Sequence, residues 1–169
     1  MRDAKMKTLP LGSIVAQGEY LKNALQKETA YLLSLDDGRF LAGFYENAGI
    51  RTPYVRYGGW ESDLIAGHAV GHYLSALAQA VANRGVGAAE REKLFAKLKR
   101  MVDGLAECQR GSKGKKGFLW AAPKTQAGGV ESQFDNVEQG KTNIKTEAWV
   151  PWYTMHKLLA GLSDCYTLG

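Results

Sequence analysis

What the chain lacks narrows its class first. Two cysteines, Cys108 and Cys165, occur in 169 residues, and neither belongs to a CxxC pair. No disulfide can be deduced from them, and buried thiols on helix faces are the expectation. No apolar run approaches the roughly 18 to 20 residues that a membrane span requires, so no membrane partner is expected. The opening residues, MRDAKMKTLPLGSIVAQGEYLKNAL, are charged and carry no apolar h-region. No secretory signal is read there, and the chain as it stands reads as cytoplasmic. A trimmed, exported parent would give the same start. No Ser-His-Asp signature, P-loop or dinucleotide fingerprint occurs.

Positive charge is in modest excess. The net charge is +5, and part of it sits in RGSKGKKG, residues 110–117. A nucleic-acid surface would interleave such residues with aromatics on one face. No such face is visible, so a solvated loop is expected and no nucleic-acid partner. An apolar share of 45% against 23% charged is that of a globular chain, and the length suits one domain.

Periodicity points to helices. From residue 13 to about 35, Leu21, Leu25, Glu28 or Thr29, and Leu32 follow a 3.6-residue repeat, with Ser13 as a candidate N-cap. Asp36-Asp37-Gly38 ends that run. GRFLAGFYENAG makes a shorter helix with Phe40, Leu41 and Phe44 on one side, closed by Gly49. IRTPYVRYGGW is a loop, broken by Pro53 and by Gly58-Gly59. A long helix is expected from Glu61 or Ser62 to Asn83. It is apolar nearly all round, as a helix buried on most sides would be, and its small residues admit close neighbours. Residues 88–110 form another, with Leu94, Leu98, Met101 or Val102, and Leu105 as its stripe. Residues 111–148 carry little periodic signal and read as one long loop, with GFLWAAP as a short strand or extended turn. A loop of that length is usually functional or mobile. The last helix starts near Pro151, which suits a first turn, and buries Met155, Leu158, Leu159 and Leu162. The expected fold is all-α: about five helices, very little strand, one long loop.

Histidine is scarce as well, with three in the chain. Two stand together in GGWESDLIAGHAVGHYLSAL, where His68 and His72 share one side of a helix. Zincin helices use the same spacing but place a glutamate inside it, as HExxH. Here Ala69-Val70-Gly71 intervene, and no third ligand is evident, so no metal site is assigned. Metal ligands, polar core residues and substrate contacts are the three readings of the pair. Substrate contact is preferred, because a tightly packed helix does not readily hold two imidazoles without partners. His156 follows Trp149, Trp152 and Tyr153, an aromatic setting found where sugar rings stack and also in ordinary cores. Trp60-Glu61 adds an aromatic and a carboxylate at the mouth of the histidine helix, where Glu61 alternatively favours the helix N-terminus. Glu131, Asp135, Glu138 and Glu147 are loop carboxylates that no spacing pairs for acid/base work.

Three segments carry a resemblance. GGWESDLIAGHAVGHYLSALAQAVA resembles the N-terminal part of the β-L-arabinofuranosidase-like glycoside hydrolases, families 127 and 146, once classed as a domain of unknown function. YLLSLDDGRFLAGFYENAGI is similar to that family's first helical pair. WVPWYTMHKLLAGLSDCYTLG is similar to its Trp-Val-Pro-x-Tyr-x-x-His-Lys segment. The resemblance implies an (α/α)6 barrel, of which residues 1–169 would be the first helices, with the loop 111–148 within it. It implies carbohydrate as partner, specifically L-arabinofuranose-containing glycans. It also implies a zinc-bound cysteine nucleophile and a glutamate acid/base, both from later motifs that this sequence does not contain. No cofactor is therefore expected here, and neither Cys108 nor Cys165 is read as the nucleophile. Carried over by position, His156 is implied to touch the sugar, with His72, His68, Trp60, Glu61 and Trp152 lining the same wall. Two further expectations follow. The chain alone would not hydrolyse arabinofuranosides, and unclosed helix faces would favour self-association. A stand-alone helical carbohydrate-binding or interaction module is the alternative.

Overall fold

The computed structural model describes residues 9–125 and 128–169, and the described chain is all-helical. Six α-helices follow in order: α1 (Glu19–Ser34), α2 (Asp37–Ala48), α3 (His68–Ala82), α4 (Ala88–Gly111), α5 (Ser132–Glu138) and α6 (Pro151–Leu168). Two short 3-10 turns, Leu11–Ser13 and Gly59–Ser62, complete the set. The architecture is that of part of an α/α barrel.

Helix α1 begins later than its periodicity suggests. Ser13 lies in the first 3-10 turn, where its hydroxyl donates to Pro10 O at 2.6 Å and does not cap α1. Gly18, at φ 83°, turns the chain into the helix instead. An L side chain disfavours that conformation, so glycine punctuates there. Leu21 is consequently exposed, and Thr29 and Leu32 are the buried positions. The Asp36-Asp37-Gly38 stop is also a start. The Asp36 carboxylate accepts from Gly38 N at 2.8 Å and Arg39 N at 3.2 Å, capping α2. Gly49 closes α2 in the left-handed conformation, at φ 71°.

One core joins α1 to α4 and reaches α6. Phe44, Val70, Leu74, Leu77, Leu94, Met101, Leu105 and Leu158 are among its fully buried members. The stripe expected on α4 is the one buried. A charged hub ties the same helices together. Asp37 takes Lys97 at 2.8 Å and Arg100 at 2.8 Å, and accepts from the Tyr73 hydroxyl at 3.1 Å. Its charge is thus compensated where α2, α3 and α4 meet.

Helices α3 and α6 run parallel. Gly67 neighbours Thr154, Gly71 neighbours Lys157, Leu158 and Gly161, and the Cys165 thiol reaches Leu74 O at 3.9 Å. At the crossing the two backbones touch: a β-carbon on Gly71 would overlap the Lys157 carbonyl, and one on Gly161 would overlap Gly71 O. Both N-termini therefore lie at one end of the molecule. Leu159, expected on the buried side of α6, is 58% exposed. The close approach turns Thr154, Leu158 and Gly161 inward instead.

The stretch 111–148 is more structured than its sequence suggests. It contains α5, and its GFLWAAP segment forms no strand among the described residues. Side chains replace a strand partner. Asn47 donates to Trp120 O at 3.1 Å and Ala122 O at 2.9 Å, and the Arg56 guanidinium donates to Ala121 O. Trp120, Ala122, Val130 and Ala66 then make a second small core.

Candidate functional site

The histidine helix is shorter than expected, and this changes where its first histidine sits. The long helix expected from Glu61 or Ser62 is interrupted. Residues Gly59–Ser62 form the 3-10 turn, residues 63–67 are turns, and α3 starts at His68. Gly67, at φ 102°, makes the break. His68 thus stands at the helix mouth and His72 one turn inside.

Glu61 spans the break. Its Oε2 accepts from Gly67 N at 2.8 Å, and its Oε1 accepts from Ala69 N at 3.2 Å. A carboxylate here satisfies orphan amides and complements the positive end of the helix. The same Oε1 lies 2.9 Å from His68 Nδ1, which is also 3.1 Å from Ile65 O.

Around His68 stands a ring of aromatic groups. Trp60 lies 5.9 Å away between ring centroids, His72 6.3 Å and Tyr153 6.4 Å. Trp149 meets Trp60 edge-on at 6.1 Å. The Lys157 ammonium sits 5.1 Å over the Tyr153 ring. Trp60 and Tyr153 keep 63% and 42% of their surface exposed, so flat faces remain available to a ligand. His72 stays exposed as well. Partial desolvation first, then the Lys157 ammonium and the neighbouring His68 ring, hold its pKa below the ordinary imidazole value.

Trp60, Glu61, His68 and His72 are therefore together. Trp152 and His156 lie on the outer face of α6. Trp152 packs edge-on against Phe134 at 4.8 Å rather than on the histidines. His156 is exposed one turn beyond Trp152, with no hydrogen bond among the described residues.

Two contributors escape sequence reasoning. Lys157 was signalled only by standing four residues after Tyr153, on the same side of the helix. Gln133, on α5, carried no signal at all. It is 1% exposed, donates to Leu64 O at 2.9 Å and accepts from Trp149 N at 3.1 Å. That one amide pins the long loop to the turn before α3 and sets Trp149 beside Trp60. Lys145 adds an ion pair to Asp63 at 3.0 Å on the same turn.

The thiols are remote from this face. Cys108 is buried on α4, and burial with help from Glu107 pushes its pKa up to about 12. Cys165 on α6 is raised to about 11, by burial and then by Asp164. Neither is a ready thiolate. Among the described residues no three His, Cys, Asp or Glu side chains are grouped to hold a metal. A cavity of about 760 Å³ lies between α2 and α4, but Asp37, its central carboxylate, is consumed by Lys97 and Arg100. The aromatic–imidazole face has the freer chemistry.

Fold and face define the class first: an all-helical protein with an aromatic, imidazole-rich surface at the shared end of two parallel helices. A family model described as beta-L-arabinofuranosidase, GH127 catalytic domain, matches residues 16–169. The chain belongs to this glycoside hydrolase family. No curated protein sequence matches it.

Proposed function

We propose that this chain supplies the sugar-binding wall of a glycoside hydrolase acting on L-arabinofuranosides, and does not supply the reacting groups. The observation that carries this reading is the convergence of Trp60, His68, His72 and Tyr153, with open aromatic faces. Aromatic faces stack on the apolar side of a sugar ring, and imidazole nitrogens bond its hydroxyls. Tyr153 brings the first turn of α6 into the wall, and Trp152 and His156, on the outer face of that helix, stand outside the cluster. The chemistry is assigned elsewhere for physical reasons. Both thiols are held protonated, and the one carboxylate in the cluster, Glu61, already serves protein donors on both oxygens. The zinc implied by the resemblance is assigned to residues other than these.

Two assays test the reading together. Methyl β-L-arabinofuranoside should raise the melting temperature by mass action, and 4-nitrophenyl β-L-arabinofuranoside should not be turned over. Absence of stabilisation would remove the sugar wall. Turnover by this chain, lost in His156→Ala, would show that it carries the reacting groups.

A further inference from the structure

Glu61 reads at first as one more polar group lining the face. Its geometry argues otherwise. Its side chain is 13% exposed, and each oxygen is already engaged: Oε2 by Gly67 N, Oε1 by Ala69 N and by His68 Nδ1. A carboxylate so committed has little left to offer a sugar hydroxyl. What it does control is the ring beside it. Both neighbours of His68 Nδ1, the Glu61 carboxylate at 2.9 Å and the Ile65 carbonyl at 3.1 Å, are acceptors. Nδ1 must therefore carry a proton. Nε2, on the opposite edge, makes no hydrogen bond among the described residues and is not sealed from solvent. The His68 ring that carries it lies 5.9 Å from Trp60, 6.3 Å from His72 and 6.4 Å from Tyr153, centroid to centroid.

We propose that Glu61 is a positioning residue: it locks His68 in the Nδ1–H form, so that Nε2 is the acceptor presented to a hydroxyl of the bound sugar. The sugar half of this statement rests on the reading of the face as a sugar wall, and the tautomer half stands without it. A neutral imidazole is a donor at one nitrogen and an acceptor at the other, and the partner of one decides the role of the other. Histidine in water prefers the opposite form, with the proton on Nε2, so the lock inverts the default. The helix mouth supplies the carboxylate that HExxH would place between its histidines. Here it comes from seven residues before His68, carried in by the Gly59–Ser62 turn. That same turn sets Trp60 beside the ring. One turn thus fixes both a stacking face and an acceptor atom. Glu61 also caps α3, so loss of stability on its removal would not separate the two roles.

The test is nitrogen-15 NMR of the histidine side chains in the whole chain, at a pH where the rings are neutral. His68 should show a pyrrole-type Nδ1 and a pyridine-type Nε2. Glu61→Ala should move it toward a mixture, and should weaken binding of methyl β-L-arabinofuranoside about tenfold, the worth of one hydrogen bond of normal strength. Glu61→Gln, which keeps an acceptor oxygen, should restore part of the Nδ1–H form, and serves where the alanine variant folds poorly. An Nε2–H ring in the unsubstituted chain would overturn the proposal, as would an unchanged tautomer in Glu61→Ala. A locked Nδ1–H ring in a chain that binds no arabinofuranoside would sink the sugar wall and leave the positioning role in place.

Discussion

His72 is the residue whose ionisation should be visible from outside. Its folded pKa lies below its ordinary value of 6.5, so the unfolded chain binds the proton more readily. Its contribution is complete above that value and is lost as pH falls through the folded pKa. Stability should therefore decline as pH falls below about 6.5, and His72→Gln should flatten part of that slope in urea titrations at each pH. The effect is modest, because the ring is exposed and solvent screens it. A slope unchanged in the variant would contradict the assignment. At this scale the sequence was informative about identity and silent about geometry. His68, His72 and Trp60 stood out by scarcity and spacing. Glu61 was legible as a carboxylate favouring the helix N-terminus, but its hold on His68 was not, because that depends on Gly67 breaking the helix, and a positive φ at one glycine cannot be read from periodicity.

At the scale of elements, the α3–α6 crossing and the Gln133 clamp set the site. Gly71→Ala places a methyl group against the Lys157 carbonyl. Backbone cannot yield as a side-chain tip does, so a loss of about 3 kcal/mol or more is expected on denaturant unfolding. A near-neutral result would mean that the helices stand further apart. Gln133→Ala leaves Leu64 O and Trp149 N without their partner in a buried setting. The expected cost is about 2 kcal/mol or more, with a red shift of tryptophan emission as Trp149 leaves Trp60. The apolar stripes of α2 and α4 and the Pro151 start of α6 were all legible, because burial imposes a period. The α1 start was displaced because Gly18 outweighs a capping serine. The loop 111–148 hid α5 because a seven-residue helix held by polar side chains leaves no stripe.

At the scale of the whole molecule, α6 presents a row seven residues apart: Trp152, Leu159 and Tyr166, at 64%, 58% and 91% exposed. We propose that a second copy of the chain covers this stripe. Sedimentation should therefore find a dimer or larger species, reduced toward monomer by Leu159→Lys. A cooperative, well-behaved monomer would count against this. The membership of the chain in the GH127 catalytic-domain family gives the all-helical fold its context, and the resemblance named the barrel that helical periodicity alone does not specify. Periodicity counts helices; it does not say how a ring of them closes.

We propose that sugar meets this chain at the mouth of α3, with the first turns of α6. The most direct measurement is an NMR titration with methyl β-L-arabinofuranoside, following the indole, phenol and imidazole resonances. Saturable shifts are expected at Trp60, His68, His72 and Tyr153. Resonances around the Asp37–Arg100 cavity should stay fixed. Shifts confined to that cavity, or none at any residue, would contradict it.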